Sequence, residues 1–140
     1  MNHSATAVWR GSLNEGIGRL TTPTGLSPDS AYSYRSRFEG APGTNPEELI
    51  AAAHVGCFAL ALTDVLSEAG FPSESIKVTA DVTLENVLIK GWTFTGSTLV
   101  LVGRVPEIAH EKYIQPAATK ANGPVSRVLN LNISLDASLL

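Results

Sequence analysis

Between Leu49 and Leu62 the chain carries one polar side chain, His54, and places Ala51, Ala52, Ala53, Gly56, Ala59 and Ala61 around most of a helical circumference. Any fold must cover such a segment on several sides. Its start is marked by Asn45 as a cap with Pro46 at the first helical position and Glu48 at the third, or by Thr44 as the cap with Glu47 there instead. Its end is marked at about Ala69 by Gly70, with Pro72 soon after. Beyond Leu62 the residues Thr63, Asp64, Ser67 and Glu68 give the helix a wet flank. A single small domain has one sheet to cover one side of the apolar half, so a second copy of the chain is the natural cover for the other, and a homodimer is expected. The apolar run is too short to cross a bilayer, and no membrane partner is expected.

The flanking segments read as strands. Ala5, Ala7 and Trp9 alternate with Thr6, Val8 and Arg10, and a turn over 11–18 leads to a second short strand through Arg19 to Thr22. Tyr32, Tyr34 and Phe38 then alternate with Ser33, Arg35 and Arg37, predicting a third strand with its guanidinium groups on one face, by itself an ordinary solvated face. After the helix, Ile76 to Glu85 alternates cleanly, with a bulge expected near Asn86 and Val87, and Trp92 to Val105 forms a partner strand that needs cover or pairing over Leu99 to Val102. Glu107 to Ala121 has helix composition with a kink or a restart expected at Gln115 or Pro116, a short turn spans Val125 to Leu129, and Leu131, Ile133 and Leu135 mark a last strand. The expected fold is α+β, one domain over residues 1–140 with mostly antiparallel sheets around a long helix.

Charge and cysteine usage narrow the function. A net charge of −3 offers no attraction for nucleic acid or an anionic membrane. The start of the chain lacks the charged head and apolar body of a signal peptide, and a cytoplasmic, reducing location is expected. One cysteine makes no internal disulfide, and His3, His54 and His110 have no metal-ligand spacing, so neither metal nor cofactor is expected.

That cysteine, Cys57, lies in the small-residue part of the predicted helix. A buried thiol acting as a small hydrophobe is the ordinary reading; chemistry requires partial access and a cation that favours thiolate. His54 and the arginines of the preceding segment are the candidates, though His54 equally suits a hydrogen-bonded core position. Glu47 stands ten residues before Cys57, roughly 15 Å along a straight helix, so the two share no site directly within one subunit. Two such helices antiparallel across a two-fold axis would bring the start of one near the middle of the other, where Arg37 could bridge Glu47 and Cys57.

The segments Arg37-Phe38-Glu39-Gly40, Gly43-Thr44-Asn45-Pro46-Glu47-Glu48-Leu49, Ala52-Ala53-His54 and Cys57-Phe58 closely resemble the osmotically inducible protein C family, whose relatives include the organic hydroperoxide resistance proteins. The likeness continues more loosely through Thr79-Ala80-Asp81-Val82 and Pro124-Val125-Ser126. It implies an intertwined homodimer with two active sites at the interface and long central helices enclosed by the sheets. By resemblance, Cys57 matches the peroxide-attacking cysteine, Arg37 the arginine that activates it, and Glu47 the carboxylate that positions the arginine. The implied activity is a thiol-dependent peroxidase acting on organic hydroperoxides. Typical members carry a second cysteine just before the proline-valine-serine segment, where this chain has Gly123. The resemblance therefore leaves two readings: a one-cysteine cycle with an external thiol reductant, or a non-catalytic protein that binds a small apolar ligand or senses peroxide.

Overall fold

A computed structural model describes residues 1–120 and 123–140. Ala121, the last residue of the anticipated second long helix, and Asn122 lie outside the described residues. The chain forms two compact units, Met1–Leu49 and Ile50–Leu140.

The first unit contains an antiparallel sheet of β1 (Thr6–Arg10), β2 (Ile17–Thr21) and β3 (Ser30–Tyr32), in that order. Trp9 and Tyr32 meet across it with ring centroids 5.6 Å apart, and Gly18 stands opposite Tyr32, where a side chain would collide with the tyrosine ring. The expected strand through Phe38 stops at Tyr32, and Tyr34–Phe38 is a short helix, α1. The local chemistry explains the correction. Ser33 accepts from the Ser36 amide at 3.0 Å while Ser36 Oγ accepts from the Ser33 amide at 2.9 Å, a reciprocal cap that starts a helix. Tyr34 and Phe38, alternating on a strand, are also four residues apart and meet on one helical face, their rings tilted with centroids 5.0 Å apart.

The long helix α2 spans Pro46–Glu68, beginning in the first unit and running through the second. Asn45 is its cap: Oδ1 accepts from the Glu48 amide at 2.8 Å, while Thr44 Oγ1 donates to the Glu48 carboxylate at the same distance. At the far end Gly70 takes the left-handed conformation, φ +82°, that ends a helix at little cost to glycine alone.

In the second unit, β4 (Ser75–Val87) pairs antiparallel with β5 (Gly91–Arg104), and β5 pairs parallel with β6 (Asn132–Leu139). There are thus two three-stranded sheets among the described residues, antiparallel in every pairing except the last. The bulge falls between Thr83 and Leu84, where Thr95 of β5 has no partner, earlier than expected. The apolar stretch Leu99 to Val102 is paired on both edges because β5 is the central strand. Its inward residues Leu99 and Leu101 pack with Phe58, Leu62 and Leu66 of α2 and with Val105, Tyr113 and Ala117 in one core. Burying each of the larger side chains stabilises the fold by about 1.5–3 kcal/mol.

The crossover to β6 holds α3 (His110–Lys120) and α4 (Pro124–Leu129). α3 starts later than composition suggested because Glu107 adopts φ +61°, outside the helical region. It also continues through Pro116 without a restart. The buried Tyr113 and Ala117 on one face hold the helix against the core despite the ladder bond that proline removes.

The sides of α2 differ. His54, Phe58, Leu62 and Leu66 are buried, whereas Ala52, Ala53 and Gly56 are exposed and Leu60 is 75 % exposed. By length and composition α2 is long and apolar enough to cross a membrane; its most apolar 18 residues have a mean hydropathy of 1.9, and 22 % of them are buried within the chain. The expectation that this segment is too short rested on the apolar run alone; the helix extends past it at both ends.

Candidate active site

Arg37 and Glu47 come together through a tightly pinned connection. Ser36, between the two arginines of α1, is buried and donates to the Thr44 carbonyl at 3.0 Å, while the Thr44 amide donates to the Ala31 carbonyl at 2.9 Å. The loop between them passes so close at Gly43 that an added Cβ would lie 2.9 Å from the Ala31 oxygen, at φ +135°. These contacts set the end of α1 against the first turn of α2. Arg37 then donates to Glu47 Oε1 twice, from Nε at 3.0 Å and from Nη2 at 2.8 Å. The Glu47 side chain is largely shielded from solvent while that of Arg37 stays about one-third exposed, and the acid sits in the first turn of α2, where the helix dipole favours negative charge. Among the described residues Nη1 has no acceptor.

Arg35 is arranged differently. On a strand it would share a face with Arg37; on α1 the two diverge by about 200°. Arg35 pairs instead with Glu39 at 3.1 Å in an exposed contact. A cleft of about 150 Å³ opens beside Arg37, with Trp9, Leu13, Tyr32, Phe38 and Pro46 among its lining residues. The guanidinium also lies 5.1 Å from the centre of the Phe38 ring. A second cleft of about 210 Å³, nearly all apolar, is lined by Ala7, Leu20, Tyr32 and Leu49 among others. Together these groups present a fixed cation beside apolar surface, suited to an oxygen-rich group with a hydrocarbon tail.

Cys57 belongs to the second unit, as a free and half-buried thiol on α2. One turn earlier His54 is 1 % exposed, with Nδ1 2.9 Å from Ser97 Oγ and Nε2 2.8 Å from Ser126 Oγ. Of the two roles open to His54 in the sequence, the structure gives the hydrogen-bonded core position. Burial lowers its pKa, which favours neutral imidazole. Sequence reasoning missed Ser36, Ser97 and Ser126 as supports. A serine three residues from another at the start of a helix is a readable signal for Ser36; nothing local marks the other two, which meet His54 only through the fold.

The family profile described as OsmC-like protein matches residues 38–138, most of the chain. The chain is also 44 % identical over 136 residues to a protein named Peroxiredoxin OsmC from Escherichia coli, covering 95 % of this chain and 93 % of that one. The chain belongs to the OsmC family. An equally similar Peroxiredoxin OsmC occurs in Shigella flexneri. Among solved structures, an OsmC-like protein of unknown function from Vibrio cholerae superposes with a TM-score of 0.79 at 14 % identity, covering 99 % of each chain. The organic hydroperoxide resistance protein OhrB of Bacillus subtilis superposes with a TM-score of 0.68 at 24 % identity, covering 98 % of each. These likenesses establish the OsmC-like α+β fold.

Proposed function

We propose that this chain is a homodimeric thiol peroxidase that reduces organic hydroperoxides to alcohols, with Cys57 as the attacking thiol. The observation that carries the reading is the guanidinium of Arg37, held by two hydrogen bonds to Glu47 and keeping Nη1 for another acceptor, in a chain with close peroxiredoxin relatives. Arg37 serves the thiolate and the peroxide together, and Glu47 orients Arg37 without touching sulfur. The Cys57 thiolate attacks the terminal oxygen of R–O–OH. The O–O bond breaks, its electron pair leaves on the alkoxide, and a proton completes the alcohol while sulfur is oxidised to sulfenic acid. Donors on Arg37 stabilise charge on the departing oxygen, and apolar walls favour a hydrocarbon tail over bare hydrogen peroxide.

Gly123 caps α4 directly before Pro124 and supplies no sulfur to trap the sulfenic acid. The cycle closes through an external thiol: the first thiol condenses with sulfenic acid, releasing water and leaving a mixed disulfide, and a second displaces Cys57 as thiolate. A second copy of the chain covers the exposed face of Ala53, Gly56 and Leu60 on α2, in keeping with a soluble protein in a reducing compartment.

The test treats the purified protein with one equivalent of an organic hydroperoxide, traps sulfenic acid with a selective reagent, and follows intact mass before and after a small dithiol is supplied. Labelling confined to Cys57 and multiple turnovers with dithiol support the reading. Folded protein that acquires no peroxide-dependent modification overturns it in favour of a ligand-binding role.

A further inference from the structure

We propose that His54 is a positioning residue that sets the rotation of α2 about its own axis and thereby how Cys57 is presented. The inference rests on Cys57 being the reactive thiol. Its basis is a mismatch between what hydrophobic burial specifies in this helix and what the structure shows.

Through its first half α2 is apolar nearly all round, with alanine or glycine at Ala51, Ala52, Ala53, Gly56, Ala59 and Ala61. Turning such a helix by one residue position, about 100°, exchanges small apolar side chains for others of similar size. The large fully buried side chains of α2, Phe58, Leu62 and Leu66, all follow Cys57, so upstream of the thiol burial alone discriminates weakly between settings. A hydrogen bond is directional, and leaving a buried polar group unpaired is costly. His54 makes two, to Ser97 on the central strand β5 and to Ser126 on α4, and all three residues are buried. Those two anchors lie on different elements, so together they restrain rotation as well as sliding of α2. A single buried polar side chain selecting one packing register among several apolar alternatives is an attested role.

Cys57 follows His54 by one helical turn and lies about 60° round from it. That offset places the thiol on the flank of the buried face, which accounts for its half-exposure between buried His54 and Phe58 on one side and exposed Gly56 on the other. A change of setting would carry the sulfur into the core or onto the open face. His54 thus acts through the helix, with no contact to substrate required.

The experiment measures alkylation of Cys57 by iodoacetamide over a pH series, using intact mass, in the full-length protein. The variants are S126A, H54Q, and the triple change H54L/S97A/S126A, which removes the network without stranding a hydroxyl. The triple variant is expected to unfold cooperatively while its alkylation rate moves at least tenfold from the wild-type rate, the settings of α2 exchanging faster than alkylation. H54Q, which keeps a donor and an acceptor near the Nε2 position, is expected to stay within about threefold of the wild-type rate. A folded triple variant with the wild-type rate and pH midpoint overturns the inference, as does H54Q matching the triple variant. If the triple variant does not fold, S126A decides: a threefold or larger change in rate supports the role, and an unchanged profile overturns it. Alkylation uses no peroxide, so a protein inert to hydroperoxide would sink the proposed activity while leaving this result to stand or fall separately.

Discussion

At Arg37 both bonds to Glu47 fall on one carboxylate oxygen, and the planar guanidinium keeps a donor for a third acceptor. Lysine preserves the charge but not that fork, so Arg37→Lys is expected to lower kcat/KM for an organic hydroperoxide by about a hundredfold or more, measured by coupled thiol oxidation. Tyr113 tests a different consequence of burial. Its hydroxyl is fully enclosed without a hydrogen-bond partner among the described residues, so Tyr113→Phe is expected to leave stability unchanged or raise it by about 1 kcal/mol in urea denaturation. His54 gives a pH signature. Its folded pKa lies below the unfolded value of 6.5, so the unfolded chain binds more protons between the two. Stability is therefore full above 6.5 and declines as pH falls through the lowered folded value, and His54→Leu combined with S97A and S126A should flatten that slope.

Among the elements, α2 was legible in detail and α1 was not. The cap at Asn45, Pro46 at the first position and Gly70 beyond the end act locally, so they can be read without the fold. Asn45→Ala is expected to cost about 1 kcal/mol of stability, checked by the denaturation midpoint at constant slope. Around α1, Tyr32, Tyr34 and Phe38 satisfy a strand period, while Tyr34 and Phe38 also satisfy a helical one. The balance lies with Ser33 and Ser36 and with the Thr44 carbonyl that receives the Ser36 hydroxyl, a contact eight residues away. The run-through of α3 at Pro116 is likewise tertiary, sustained by burial of Tyr113 and Ala117.

At the scale of the whole molecule, an apolar helix face left open by its own chain calls for another surface. Ala53, Gly56 and Leu60 lie on that face, and a charge there would have to be desolvated if a second copy covered it. Leu60→Arg is expected to shift sedimentation at micromolar concentration from twice the monomer mass toward the monomer. An already monomeric parent protein would contradict the dimer.

Local chemistry in the sequence determined the helix caps, the alternation of β4 and β6, the absence of an internal disulfide and the family motif around Arg37, Glu47 and Cys57. Those features act over a few residues or reside in residue identity itself. The tertiary structure alone decided that β6 runs parallel to β5 and that His54 is bound by Ser97 and Ser126. The two serines lie 43 and 72 positions from His54 along the chain, and no periodicity encodes a hydrogen bond between groups so far apart. Such contacts exist only once the sheet and the crossover have closed around the helix, because the pairing depends on distances in space that local propensity does not specify.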